Sequence, residues 1–251
     1  SSIAKIVLNK PDTGNTLDSH LAKELYSASV DAASDNNIKV LILTANGKLF
    51  CGGGNLKYLL TKKKEVKKTL LEMTMYFHGA ISRMARMSAP VIVGVNGTAG
   101  GGGFSLAITG DIIYAVKDAK FTLAYTNAGL SPDGSSTYYL PRIVGMKRAK
   151  ELMLTNRLFS AGEALDMGLI DKVVNSNEEL NEAINKQAEV FSKGPINAYK
   201  SVKKLLSESF NNGLESQMEI ESIHISNNAE TKDGIEGLTA FSEKRKPNFN
   251  E

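Results

Sequence analysis

Residues 90–116 read PVIVGVNGTAGGGGFSLAITGDIIYAV, and the reading of this stretch decides the fold. Pro90 to Val95 is an apolar run of strand length, the pattern of a strand buried on both faces. It runs into glycines, Gly100 to Gly103. Phe104 to Thr109 then predicts a short helix, and Asp111 to Val116 a further strand. Working outward, the same order recurs upstream. Val40-Leu41-Ile42-Leu43 is another buried run, followed by Asn46-Gly47 and then Phe50-Cys51-Gly52-Gly53-Gly54. Residues 57–85 read as helical, with lysines clustered at Lys62, Lys63, Lys64, Lys67 and Lys68. Strand, glycine-rich turn and helix thus occur twice in succession, the alternation of an α/β core.

The flanks agree. Ile3 to Leu8 predicts a strand, stopped by Pro11-Asp12-Thr13-Gly14. Asp18 predicts the cap of a helix whose apolar face is Leu21, Leu25, Ala28 and Ala32. Downstream the chain turns helical. Residues 146–156 predict a helix, Ser160 and Glu163 a capping box, and Leu180, Ala183, Ile184, Ala188 and Phe191 one helical face. Gly194-Pro195 is a stop and restart. It divides the expected organisation into a core at 1–194 and a C-terminal helical segment at 195–251. Ile196, Tyr199, Val202, Leu205 and Leu206 line the first helix of that segment, and the tail from Ser242 to Glu251 is polar.

Composition narrows the function classes. The 251 residues are 42 % apolar and 23 % charged, too apolar for a disordered chain and ample for a large core. A net charge of +3 is too weak to argue for nucleic acid. Cys51 is the only cysteine, so no internal disulfide forms, and a reducing, cytoplasmic compartment is expected. One cysteine and three histidines do not assemble a paired-ligand zinc site. The most apolar stretch, Ala89 to Gly110, is broken by Pro90, Asn96, Thr98 and seven glycines and makes a poor membrane span. The first residues hold no basic segment followed by a long apolar run, so no signal peptide is expected.

A strand that ends in glycines and enters a helix exposes backbone N–H groups. Nucleotide phosphate is the first candidate ligand. However, neither run has glycines at i, i+2 and i+5, and there is no G-x-x-x-x-G-K-[ST] motif. G-x-S-x-G is absent too, against a serine hydrolase. Two convergent N–H groups would make an oxyanion hole. The alternative is that glycine is simply small and lets helix pack on strand. Among titratable residues, Asp133 sits in a turn-forming loop, Gly129-Leu130-Ser131-Pro132-Asp133-Gly134, where Asp is common for structural reasons. His78 falls on the apolar side of its helix near Met75, Ile81 and Met84.

Four stretches resemble the crotonase superfamily, the enoyl-CoA hydratase/isomerase family: FCGGGNL at 50–56, PVIVGVNGTAGGGG with FSLAITGDIIYA from Pro90, residues 129–174, and DGIEGLTAFSEKRKPNF at 233–249. The resemblance implies an α/β fold, a spiral of ββα units with a C-terminal helical trimerisation segment. It implies an acyl-CoA thioester as substrate and a homotrimer or dimer of trimers. It also implies that the thioester oxygen is bound by the Gly54 and Gly102 N–H groups. Gly52, Gly53, Asn55, Leu56 and Tyr125 would surround the substrate, with Phe241 and Lys244 approaching CoA from the C-terminal segment, in this subunit or a neighbour. No metal or redox cofactor is expected, because coenzyme A belongs to the substrate and the thioester is the electron sink.

This chain departs from the family's hydratases where they carry two water-activating glutamates. Those positions are Ser105 and Tyr125 here, and neither is a carboxylate base near neutral pH. Simple hydration is therefore not expected. Asp133 in G-L-x-P-D resembles the acid of the ring-opening and Δ3–Δ2 isomerases, where one carboxylate moves a proton between two carbons. Leu130, Tyr138 and Tyr139 are its expected surroundings. The 129–174 stretch is also similar to 4-chlorobenzoyl-CoA dehalogenase, which makes Asp133 a nucleophile and His78 a base. That enzyme has a tryptophan where Tyr125 stands, and this chain has none. A non-catalytic CoA-ester binder, or an RNA binder using the lysine cluster, is the remaining alternative.

Overall fold

The computed structural model describes residues 2–249; the last two residues of the polar tail, Asn250 and Glu251, lie outside them. In chain order the elements are β1 (Ile3–Leu8), α1 (Ser19–Ser34), β2 (Val40–Ala45), β3 (Leu49–Cys51), α2 (Leu56–Lys62), α3 (Val66–Arg86), β4 (Val91–Val95), β5 (Thr98–Gly100) and α4 (Gly102–Ala107). There follow β6 (Ile112–Val116), β7 (Lys120–Thr122), α5 (Ser136–Thr155), β8 (Phe159–Ser160), α6 (Ala161–Asp166), β9 (Lys172–Val174), α7 (Asn177–Ser192), α8 (Ile196–Glu208), α9 (Leu214–Ala229) and α10 (Lys232–Ser242).

The long strands and the three-residue β9 form a parallel five-stranded sheet in the order β1-β2-β4-β6-β9, and the other short strands a second sheet in the order β3-β5-β7-β8. This corrects one reading. What the sequence presents as a strand running straight into glycine is two strands, a long one and then a short one in the other sheet. The chain turns between them at Asn46-Gly47-Lys48, and again at Asn96-Gly97. These corners stack directly. A Cβ on Gly97 would lie 2.0 Å from the Lys48 carbonyl oxygen, and the Asn96 carboxamide donates to the Gly47 oxygen at 2.9 Å. Asn15, fully buried, donates to the Asn46 and Leu49 oxygens at 2.9 Å each and ties the first turn to the same corner. Each repeat is therefore long strand, short strand, helix.

Burial follows the apolar pattern. All six residues of β2 and all five of β4 are buried. Asp18 caps α1, accepting from the Leu21 N–H at 2.8 Å, and Leu21, Leu25 and Ala32 are buried as expected. Leu180, Ile184 and Ala188 of α7 pack across β2, β4 and β6, and Gly94 leaves room for Ile184. Ser160 and Glu163 form the expected capping box. Among the described residues no helix is long and apolar enough to cross a membrane.

Several boundaries differ from expectation. The helical stretch read at 57–85 is two helices. Lys63 sits at φ +41°, a left-handed conformation that ends α2, and a 3-10 turn at Lys63–Glu65 leads into α3. The helix read at 146–156 starts at Ser136 and runs through a break at Gly145, where φ is +78°. Pro141 and Gly145 hid the first two turns from the sequence pattern. The short helix read at 104–109 begins two residues earlier, at Gly102.

The apolar face read in α8 meets the core only in part, through Ile196. Val202 and Leu206 are more than half exposed, and they line a cavity of about 950 Å³ with Tyr199 and Phe210. A polar clip also holds the helix. The Lys203 ammonium donates to Asp111 Oδ2 at 2.6 Å and to the Ala89 and Met84 oxygens at 3.0 and 3.2 Å. Burial pushes that ammonium below its ordinary range, and Asp111 works against the shift. The tail folds back on α10, where both Glu236 oxygens accept from Arg245 and one also accepts from the Asn248 N–H.

Candidate active site

Two glycine turns meet where the short strands end. At the first, Leu17 forms an isolated parallel bridge to Gly54: its N–H donates to the Gly53 oxygen at 2.7 Å, and its oxygen accepts from the Asn55 N–H at 2.8 Å. In such a bridge the residue between the two bonds points its own N–H the other way. The Gly54 N–H is thus directed away from Leu17. At the second, Gly102 opens α4, so its N–H has no partner within the helix. Gly53 and Gly101 bring the turns together. Gly53 has φ +91°, and a Cβ there would lie 2.7 Å from the Gly100 oxygen. Gly101 has φ +51°. Gly103 seats α4 on β3, where a Cβ would lie 2.1 Å from the Cys51 oxygen. Close packing and exposed N–H groups, alternatives in the sequence, are one arrangement: the first produces the second.

Gly52, Gly53, Gly54, Gly101 and Gly102 line a cavity of about 260 Å³ together with Leu56, Tyr125, Leu130 and Asp133. Asp133 is brought there by the loop before α5. Gly134 at φ +60° and Ser135 at φ +69° turn the chain, and Ser136 donates its hydroxyl to the Asp133 oxygen at 3.0 Å. The carboxylate is held on both sides. Tyr125 donates to Oδ1 at 2.7 Å, and His78 Nε2 lies 3.2 Å from Oδ2. Ser105, fully buried, sits 2.9 Å from the Tyr125 hydroxyl and donates to the Asp133 backbone oxygen at 2.8 Å. Burial above all, and then the Asp133 charge, push the Tyr125 phenol well above its ordinary range. It therefore keeps its hydrogen and remains a donor to Asp133.

The surroundings of Asp133 differ from those expected. Leu130 shares its cavity, but Tyr138 and Tyr139 line the larger cavity beneath α8. His78 is not on the buried face of α3, which is Met73, Phe77, Ala80, Ile81 and Met84, and Met75 is 60 % exposed. The His78 side chain is 48 % exposed; it faces Asp133 from one side and the larger cavity from the other. Asn55 does not line the Asp133 cavity. Its carboxamide caps α2, accepting from the Tyr58 N–H at 2.9 Å. Phe241 and Lys244 do not line it either, and Phe241 is 87 % exposed. Of the lysine cluster, Lys63, Lys64, Lys67 and Lys68 are exposed, and Lys62 lies 4.6 Å over the Tyr58 ring.

Two participants had no functional reading in the sequence. Ser105 stood only for a missing carboxylate, although its position beside the glycine turn already aimed it at the site. The Gly134 N–H, which donates to His78 Nε2 at 3.1 Å, carried no signal, because a backbone donor has no residue type. Cys51 is fully buried, donates to the Asn15 oxygen at 3.1 Å, and is pushed up to about 12 by burial. It is not a nucleophile in the folded protein. Among the described residues, no group of three or more His, Cys, Asp or Glu side chains is arranged to hold a metal ion.

A family model described as enoyl-CoA hydratase/isomerase matches residues 1–251. The chain belongs to the enoyl-CoA hydratase/isomerase family. Its α/β fold is the crotonase fold: the crystal structure of an enoyl-CoA hydratase from Polaromonas sp. JS666 superposes with a TM-score of 0.92 at 32 % identity, covering 98 % of this chain and 95 % of that one. The C-terminal helices α8, α9 and α10 fall within that match, in keeping with the trimerisation segment of the expected fold. In sequence, the chain is 30 % identical over 248 residues to 1,2-epoxyphenylacetyl-CoA isomerase of Escherichia coli strain K12, covering 98 % of this chain and 94 % of that enzyme. It is also 30 % identical over 220 residues to 4-chlorobenzoyl coenzyme A dehalogenase-2 of an Arthrobacter species, covering 87 % and 79 %.

Proposed function

We propose that this family member acts on an acyl-CoA thioester and shifts a double bond along the acyl chain, as a Δ3–Δ2 enoyl-CoA isomerase does. One observation carries the reading. Asp133 lines the same cavity as the glycines whose N–H groups are free, and the residues at the two family glutamate positions, Ser105 and Tyr125, are hydrogen-bonded to it. A 1,3 proton shift needs one base that reaches two carbons, and it needs no activated water. Asp133 takes the proton from C2 of a 3-enoyl thioester. The C–H electron pair moves through the chain onto the thioester oxygen, which the Gly54 and Gly102 N–H groups hold. The proton then returns from Asp133 to C4, and the electrons settle as the C2–C3 double bond. Each oxyanion donor is worth about 2.7–4 kcal/mol in comparable sites. The thioester is the electron sink, so the reaction as proposed uses no group beyond the CoA of the substrate. The likeness to an epoxyphenylacetyl-CoA isomerase supports the isomerase branch. Assembly as a trimer is part of the same proposal. Leu238 and Phe241 of α10 are 64 % and 87 % exposed, as suits a face that a neighbouring subunit covers.

A second reading has its own support. The 3.2 Å contact between His78 and Asp133 suits a nucleophile with an adjacent base, and the likeness to a chlorobenzoyl-CoA dehalogenase fits it. Three substrates separate the readings: 3-enoyl-CoA, 2-enoyl-CoA in water, and 4-chlorobenzoyl-CoA. Isomerisation of the first alone is the expected result. Chloride release would favour the second reading, and strong hydration would overturn the part given to Ser105 and Tyr125. An RNA-binding function would instead show as salt-dependent affinity with no turnover of any of the three.

A further inference from the structure

His78 Nε2 stands between two groups with opposite demands. The Gly134 N–H donates to it at 3.1 Å, and Asp133 Oδ2 lies 3.2 Å away. A backbone N–H is only a donor, so the nitrogen it meets must be bare. A neutral imidazole with Nε2 bare carries its hydrogen on Nδ1. That bare nitrogen faces Asp133 favourably only when Oδ2 carries a proton, because against an ionised carboxylate two lone pairs meet. Moving the hydrogen to Nε2 would suit the carboxylate but set it against the Gly134 N–H. One distribution sets no lone pair against another and no hydrogen against another at Nε2: Oδ2–H and the Gly134 N–H share the single Nε2 lone pair in a three-centre bond, and Tyr125 donates to Oδ1 at 2.7 Å.

Resting on the isomerase reading above, we propose that His78 is a positioning residue. The Gly134 N–H fixes it as a bare acceptor, and it steadies the proton that Asp133 has taken from the substrate. The arrangement is complementary to the middle of the reaction, when the C2–H bond has broken, the proton is on Asp133 and the electron pair is on the acyl group, rather than to its start. His78 does not remove the proton. Its imidazole is 48 % exposed, so a proton passed to it would be open to exchange with water. Gly134 opposes that transfer, and the proton remains available for C4.

Two measurements test this. In protein labelled with 15N at histidine, the neutral imidazole of His78 is expected as the Nδ1–H tautomer. The Nε2–H tautomer would overturn the proposal. In turnover of 3-enoyl-CoA, His78→Leu lowers kcat by about 10- to 100-fold with KM little changed. His78→Gln, whose Oε1 is an acceptor near the place of Nε2, recovers most of that loss. A Gln variant as slow as the Leu variant would mean that His78 exchanges protons itself, and the proposal would fall. If the native protein moves no double bond, the isomerase reading fails on its own, and the tautomer measurement still decides what Gly134 does to His78.

Discussion

Asp133→Asn abolishes double-bond migration. The expected loss in kcat is about 10²–10⁴-fold, the range for removing a positioned acid–base group. The fold is left intact. Asn keeps an amide oxygen to accept from Tyr125, and its amide N–H donates to His78 Nε2, so the contacts at 2.7 and 3.2 Å both survive. The amide has no proton affinity in the useful range. The variant should therefore melt within about 2–4 °C of the native protein while losing turnover of 3-enoyl-CoA. Paired melting curves and kinetics make the comparison. An Asn variant retaining a tenth of native kcat would remove Asp133 from the chemistry.

The second large effect falls on Gly53. Its φ of +91° suits glycine, and a Cβ there would sit 2.7 Å from the Gly100 oxygen and 3.3 Å from the Gly101 Cα. Those are backbone atoms and have no rotamer to move to. Gly53→Ala must therefore push the two glycine turns apart. It destabilises the protein by about 1–3 kcal/mol from overpacking, with about 1–2 kcal/mol more from left-handed backbone. It also moves the Gly54 N–H away from its partner donor, lowering kcat by about 10²–10³-fold. Gly54→Ala is the control for stability, since a Cβ at Gly54 meets nothing within 4 Å. Denaturant melts of both variants check this. Equal stability of the two would contradict the close approach of the turns.

The α/β alternation was legible because each buried strand is a short apolar run and each is followed by small residues. The second sheet was not legible. Asn46-Gly47 and Asn96 read as interruptions, and only stacking against the neighbouring corner shows that a second sheet begins after each of them. Asp133 and Tyr125 were legible as residue types, eight positions apart, but their 2.7 Å hydrogen bond depends on Gly134 and Ser135 taking left-handed backbone. Ser135 in that conformation is not predictable from its type. The apolar face of α8 was legible as a face, but what holds the helix was not, because the Lys203 clip to Asp111 looks in sequence like any surface lysine.

The claim on which the rest depends is that one carboxylate both removes and returns the hydrogen. Its most direct test is a single turnover of 3-enoyl-CoA deuterated at C2, with the product's C4 read by mass spectrometry. Transfer of a substantial part of the deuterium from C2 to C4 is the expected result, and its loss in Asp133→Asn follows. A product whose new C4 hydrogen comes wholly from solvent would contradict the account.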